Sequence, residues 1–412
     1  MFQATRLRTL RRRSGVMSRV WACTAAATFS TTVIFADQAS PSGLGGGDVN
    51  DATAPPFDAS AEVSQVEMEM DLASTSFSAQ NAYFFANVSN IVYSTKDKVQ
   101  ELLKSMDGCK GLGDEGNFHW FENEPAESGD SLLELIQDTQ GFVAANDEVL
   151  VVAFRGSQER VDWLTNLRAF PRGVSDRWNV DLEGCTIHRG FDDAVSALWT
   201  PGPRSATGMR QKIIELYGDG KNRKLYLAGH SLGGALATVA AARLVLEDDM
   251  NVAGLYTIGS PRVFDSDLAD HFDASVNHGT IMKDKHFRGR NHNDAVTRLP
   301  TLPYKHCGTE IYFDRFGTIS TTSFLDRVLG RLSALLRLSF VDGVSDHTAT
   351  EYIKHFRNAV IESRLTLMQK TKSVVKDAFN KVDPAESYRR IFQKGETEST
   401  KKKETATLED EP

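Results

Sequence analysis

The run Leu225-Tyr-Leu-Ala-Gly-His-Ser-Leu-Gly-Gly-Ala-Leu-Ala237 constrains the fold of this 412-residue chain more than any other stretch. Leu225 to Ala228 are apolar and read as a buried strand. Gly234 to Leu246 are small and aliphatic and read as a helix. Between them stands Gly229-His230-Ser231-Leu232-Gly233, a G-x-S-x-G turn. A chain that passes so quickly from strand to helix must turn sharply, and side chains at 229 and 233 would collide with the turn. The serine hydroxyl is left exposed at a helix N-terminus, whose positive end favours an oxyanion. The bare pattern is common in proteins. Its strand-before, helix-after setting distinguishes it from a glycine-rich turn with an idle serine.

The same alternation recurs along the chain. Val149 to Phe154 and Leu255 to Ile258 read as strands, and Ala194 to Leu198 and Met209 to Tyr217 as helices. Continuous apolar strands separated by helices predict an α/β fold with a mainly parallel central sheet covered by helices on both faces. With 41% hydrophobic and 25% charged residues, there is enough apolar material for a sizeable core. The net charge of −8 argues against nucleic acid as a partner, because phosphate binding wants a basic face. Cys23, Cys109, Cys185 and Cys307 are too widely spaced for a zinc site, and the histidines are equally scattered, so no metal is expected. Gly43 to Gly47 does not follow a strand, so no dinucleotide cofactor is expected either.

The ends have a different character. Residues 1–19 carry six arginines and no acid, and a small-residue apolar stretch runs from Val20 to Ala36. Residues 1–36 therefore read as a targeting segment: a secretory signal peptide, or alternatively an organellar transit peptide. In the secreted case Asn87-Val88-Ser89 would be a glycosylation sequon. Residues 37–76 read as a disordered linker, 77–360 as the folded domain, 361–392 as a charged helical extension and 393–412 as a disordered tail.

A serine hydroxyl needs a base, and the base needs a carboxylate to hold its tautomer. On this kind of fold the chain order is serine, acid, histidine. Asp294 is the preferred acid, because a strand-like stretch ends near His292 just before it. Asp265 and Asp267 read instead as loop positions. Of His306, His347 and His355, the preferred base is His347, in a polar loop ahead of a helix beginning near Thr348. His230 reads as a packing residue. The elbow makes the Leu232 N–H one oxyanion donor.

These motifs resemble those of the class 3, or fungal-type, lipases of the α/β-hydrolase superfamily. The resemblance rests on Ala228 to Ala237, Phe154-Arg155-Gly156-Ser157, Asp162-Trp163 through Leu167, His188-Arg189-Gly190-Phe191, Gly259 to Val263 and Asn293 to Val296, in that family's order. It covers about residues 78–358. It implies Ser157 as the second oxyanion donor and supports Asp294 and His347 in the triad. The family's histidine segment often has an aromatic three residues on, whereas here Tyr352 stands five on. Val161, Trp163, Leu164, Leu167 and Phe170 form an apolar stripe, and the resemblance implies a lid there that opens at a lipid surface. Without the resemblance the same stripe would read as a core-packed helix. A second stripe, Phe324 to Leu336, fits either a membrane surface or a docked helix.

The resulting expectation is a serine hydrolase of carboxylic esters, lipase-like, that acts on a lipid or other ester and makes transient contact with a lipid surface. An esterase or phospholipase on the same fold is the alternative. A non-catalytic lipid-binding or signalling protein is a further one.

Overall fold

The computed structural model describes residues 68–123, 139–156, 170–202, 205–320 and 346–381. The chain divides into units Met1–Pro56 and Phe57–Pro412, and every described residue belongs to the second. Helices α1 (Ala79–Ile91) and α2 (Lys96–Ser105) precede strands β1 (Phe118–Glu122), β2 (Gln140–Ala145) and β3 (Val149–Phe154). Then come β4 (Pro171–Gly173), β5 (Thr186–His188), α3 (Arg189–Trp199) and α4 (Met209–Tyr217). Next are β6 (Lys224–His230), α5 (Leu232–Leu246), β7 (Val252–Ile258), β8 (Phe264–Asp265) and α6 (Ser266–Ala274). After the hairpin β9 (Val276–Asn277) and β10 (Thr280–Ile281) come β11 (His286–Asn291), β12 (Tyr304–Lys305), β13 (Thr309–Phe313), β14 (Ile319–Ser320) and α7 (Ala349–Lys381).

Eight strands form the central sheet in the order β1-β2-β3-β6-β7-β11-β13-β14. The run from β3 through β13 is parallel, while β1, β2 and β14 pair antiparallel at the edges. Side chains alternate faces along each strand. Leu150, Val152 and Phe154 of β3 and Leu225 and Leu227 of β6 pack with α3, α4, α5 and α6. Val149, Val151 and Ala153 of β3 and Tyr226 and Ala228 of β6 pack with α1, α2 and α7. Both faces are buried, so these strands read as unbroken apolar runs rather than alternating ones. Each fully buried Val, Leu or Phe contributes roughly 1.5–3 kcal/mol. Helix α5 is buried at every residue from Leu232 to Val245. Its run of Gly and Ala lets its backbone lie close on the sheet.

Several boundaries differ from the sequence expectation. The packed chain starts before residue 77: Met68 is 2% exposed, and Asn81 holds the Asp71 backbone through two hydrogen bonds. One helix, α7, runs through the expected boundary at 360. Helices α3 and α5 begin earlier than read, because glycines that weaken a helix in isolation are held here by packing. The sequon is a correction. Asn87 is buried inside α1 and donates from Nδ2 to Tyr83 O at 2.8 Å, so the folded chain does not present it to a glycosylating enzyme. The lid segment with Val161, Trp163, Leu164 and Leu167, the Ser157 position and the stripe at 324–336 lie outside the described residues. Cys109, Cys185 and Cys307 are all free thiols. No helix among the described residues is long and apolar enough to cross a membrane.

The α6 side of β11 carries an acid-sensitive feature. Burial, and then the nearby Arg288, push the His286 imidazole down to about 3. His306 is held well below its ordinary value by the same two causes. Unfolded imidazoles protonate near about 6.5. The stability these residues contribute is therefore complete above that pH and is lost as pH falls from there towards the folded values. Each should remove about 1.4 kcal/mol per pH unit across that window. Thermal melts should therefore show Tm dropping steeply below about pH 6.5, with a shallower drop in His286→Leu. Equal slopes in the two proteins would show that His286 titrates alike in the folded and unfolded chain.

Candidate active site

Strand β6 leads directly into α5, and Ser231 is the single residue between them. It sits at φ 58 and ψ −127, a left-handed conformation that costs a non-glycine residue of the order of 1–3 kcal/mol. The turn is held by its neighbours. Ser231 N–H donates to Ile258 O at the end of β7, at 2.9 Å. The flanking glycines are required by close approach. A Cβ on Gly229 would stand 2.1 Å from Gly233 O, and one on Gly233 would stand 2.2 Å from Phe154 O.

Asp294 follows the end of β11, in a turn closed by its N–H on Asn291 O at 2.9 Å. Its carboxylate is fully buried and completely engaged. Oδ1 accepts from Val296 N–H at 2.9 Å, and Oδ2 accepts from the Tyr352 hydroxyl at 2.6 Å. The Tyr352 oxygen in turn accepts from Asn291 N–H at 2.8 Å. Burial, and then the Asp294 charge, push the Tyr352 phenol well above its usual range, so it stays a donor.

His347 stands two residues before α7. Its Nδ1 lies 2.9 and 3.0 Å from the two Asp294 oxygens. Its Nε2 lies 2.8 Å from Ser231 Oγ. The loop is fixed from the acid's side, since Asn291 Nδ2 donates to Asp346 O at 3.0 Å. A buried carboxylate facing Nδ1 selects the tautomer with its proton there. Nε2 is then a lone pair directed at the serine hydroxyl. Leu232 opens α5, where helix geometry leaves the first N–H groups without intrahelical acceptors.

Residues 151–304 match the family model described as Lipase (class 3). Over that stretch the chain is similar to the class 3 lipases. The matched stretch includes Ser231 and Asp294, while His347 lies beyond it. Among the curated relatives, a triacylglycerol lipase, OBL1, of Nicotiana tabacum is 39% identical over 114 residues, 26% of this chain and 19% of that protein. Secreted mono- and diacylglycerol lipase 1 of Fusarium solani is 32% identical over 167 residues, 40% of this chain and 44% of that protein. The chain thus spans less than half the length of these two relatives. A crystal structure of a lipase from Rhizopus microsporus var. chinensis is 19% identical, covers 64% of this chain and 80% of its own, and has a TM-score of 0.43.

Asp265, His306, His355 and His230 have structural partners of their own. Asp265 caps α6 through Leu268 N–H at 2.8 Å and also accepts from Thr186. His306 Nε2 lies 2.6 Å from Thr297 O. His355 packs on Phe313 and lies 3.8 Å from Glu351. His230 does more than pack: Nδ1 is 2.8 Å from the Tyr93 hydroxyl and Nε2 is 2.7 Å from the His347 carbonyl oxygen. Sequence reasoning noticed Tyr352 only as an off-pattern aromatic and did not single out Tyr93. Neither carries a motif, because each role depends on what the fold brings beside it. Among the described residues no cluster of three or more His, Cys, Asp or Glu side chains could hold a metal ion.

Proposed function

We propose that this domain hydrolyses carboxylic esters through an acyl-enzyme on Ser231, with His347 as base and Asp294 as its orienting acid. The observation that carries the reading is the unbroken chain Ser231 Oγ to His347 Nε2 to Asp294, at 2.8 and 2.9 Å. In the reaction Oγ bonds to the ester carbonyl carbon while its proton passes to Nε2. The carbonyl oxygen becomes an oxyanion, and the Leu232 N–H and Ser157 are assigned as its donors. The tetrahedral intermediate collapses, Nε2 returns the proton to the departing alcohol, and the acyl group stays on Oγ. Water then repeats the sequence and releases the acid.

A lipid ester is the favoured substrate. The triacylglycerol and mono- and diacylglycerol lipases among the relatives support that choice. So does the closed site, where Ser231 and His347 are 3% and 5% exposed. In the same proposal the segment of Val161, Trp163, Leu164 and Leu167 is a lid that moves to admit substrate. Secretion through residues 1–36 and transient contact with a lipid surface belong to the same reading. A secreted relative supports the former.

The test is a chain-length series of esters from acetyl to oleoyl, with emulsified triacylglycerol as the last member. The expected profile rises with chain length and jumps when substrate passes from monomer to emulsion. A preference for short soluble esters would make this an esterase. Silence on every ester would leave the lipid-binding alternative.

A further inference from the structure

The residue before the proposed nucleophile contacts the residue proposed as the base. His230 and Ser231 share the β6–α5 turn. While Ser231 Oγ meets the His347 ring, His230 Nε2 meets the His347 backbone carbonyl at 2.7 Å. The two imidazoles lie side by side, with centroids 4.8 Å apart. A carbonyl oxygen only accepts, so His230 Nε2 must carry a proton. In the neutral ring Nδ1 is then a lone pair, and the Tyr93 hydroxyl stands 2.8 Å from it as donor. Tyr93 is itself wedged against the end of β3: a Cβ on Gly156 would stand 2.0 Å from its hydroxyl and 2.8 Å from His230 O. Two segments far apart in sequence therefore converge on the His230 side chain.

We propose that His230 is a positioning residue for the base. Its Nε2–H pins the His347 backbone to the same turn that carries the nucleophile, and the Tyr93 hydroxyl satisfies the ring's other nitrogen and holds the ring in place. The proposal rests on the reading of Ser231 as nucleophile. Asp294 and Ser231 meet the two nitrogens of the His347 ring, but neither holds the backbone that carries it, which is otherwise free to shift. Pinning the carbonyl removes that freedom and sets the position of Nε2 relative to Oγ. A displacement of about 1 Å in such a contact can cost about 100-fold in rate.

Two substitutions separate positioning from packing. In His230→Gln an amide N–H takes the place of Nε2–H without an aromatic ring. In His230→Phe the ring bulk stays and the donor is gone. Each is compared with wild type on a soluble short-chain ester and in single-turnover reaction with a p-nitrophenyl phosphonate. His230→Phe should lower kcat by about 10- to 100-fold with KM changed less than about twofold, and slow phosphonylation in parallel. His230→Gln should recover to within about fivefold of wild type. Tyr93→Phe should also lower kcat, and should add little in the His230→Phe background. It stands as the independent test should His230→Phe not fold. If Phe at position 230 is as active as wild type, or more active than Gln, the ring acts through packing and the proposal is overturned. A folded Tyr93→Phe protein with unchanged kcat overturns the part given to Tyr93. Wild-type protein that ignores the phosphonate overturns the hydrolase reading, and the anchor with it.

Discussion

Replacing Ser231 with alanine should lower kcat for ester hydrolysis by about 10⁴- to 10⁶-fold while leaving the fold intact. The size follows from the geometry. Among the described residues His347 Nε2 faces the Ser231 hydroxyl, and Asp294 and His347 lose the group they activate once it is gone. Residual rate above water would come from oxyanion donors and binding, which the substitution leaves in place. Stability should change little, because the turn is held by backbone contacts: Ser231 N–H to Ile258 O, and the approach of Gly229 to Gly233. The measurement is steady-state hydrolysis on matched, folded protein, with a thermal melt as control. Retained activity in a folded Ser231→Ala protein would remove Ser231 as nucleophile.

The second large effect should come from Asp294→Asn, at about 10⁴-fold in kcat. The two carboxylate oxygens are not equivalent. Oδ1 receives Val296 N–H, so the amide oxygen of an asparagine must take that place. The amide nitrogen is then forced into the Oδ2 place, against His347 Nδ1 and the Tyr352 hydroxyl. An N–H directed at Nδ1 drives the imidazole into its other tautomer. Nε2 then carries a proton towards Ser231 and cannot accept one. The Tyr352 hydroxyl also loses its acceptor, which should cost about 1–3 kcal/mol of stability. Rates should therefore be compared well below the variant's Tm. A loss of less than about tenfold would mean that Asp294 does not control the base's tautomer.

Parts of the fold were legible because their signals are local. An unbroken apolar run bounded by glycine reads as a buried strand wherever it occurs, and β3 spans the residues that the run Val149 to Phe154 predicted. The G-x-S-x-G turn is legible for the same reason: strand, glycine, serine, glycine and small-residue helix are neighbours in sequence. Asp294 and His347 were weaker choices, made by chain order and by the character of their surroundings. The structure brings His347 to Asp294 across 53 residues and to Ser231 across 116.

What failed was whatever depended on distant partners. Asn87 satisfies a sequon pattern, but α7 and the sheet bury the helix that carries it. Tyr352 stands five residues beyond His347, off the family's more frequent spacing, and no local pattern assigns it a partner. His347 lies outside α7 and Tyr352 within its first turn, so only the folded chain shows that the hydroxyl reaches Asp294. His230 reads as packing because it points away from the serine's side of the turn, whereas Tyr93 and the His347 carbonyl arrive from 137 and 117 residues away. By itself the sequence determined the strand-and-helix alternation, the elbow and the serine on it, all properties of contiguous residues. Only the tertiary structure decided which hydroxyls, carbonyls and N–H groups meet around that serine, because a hydrogen bond depends on distance and direction in space and leaves no periodic trace along the chain.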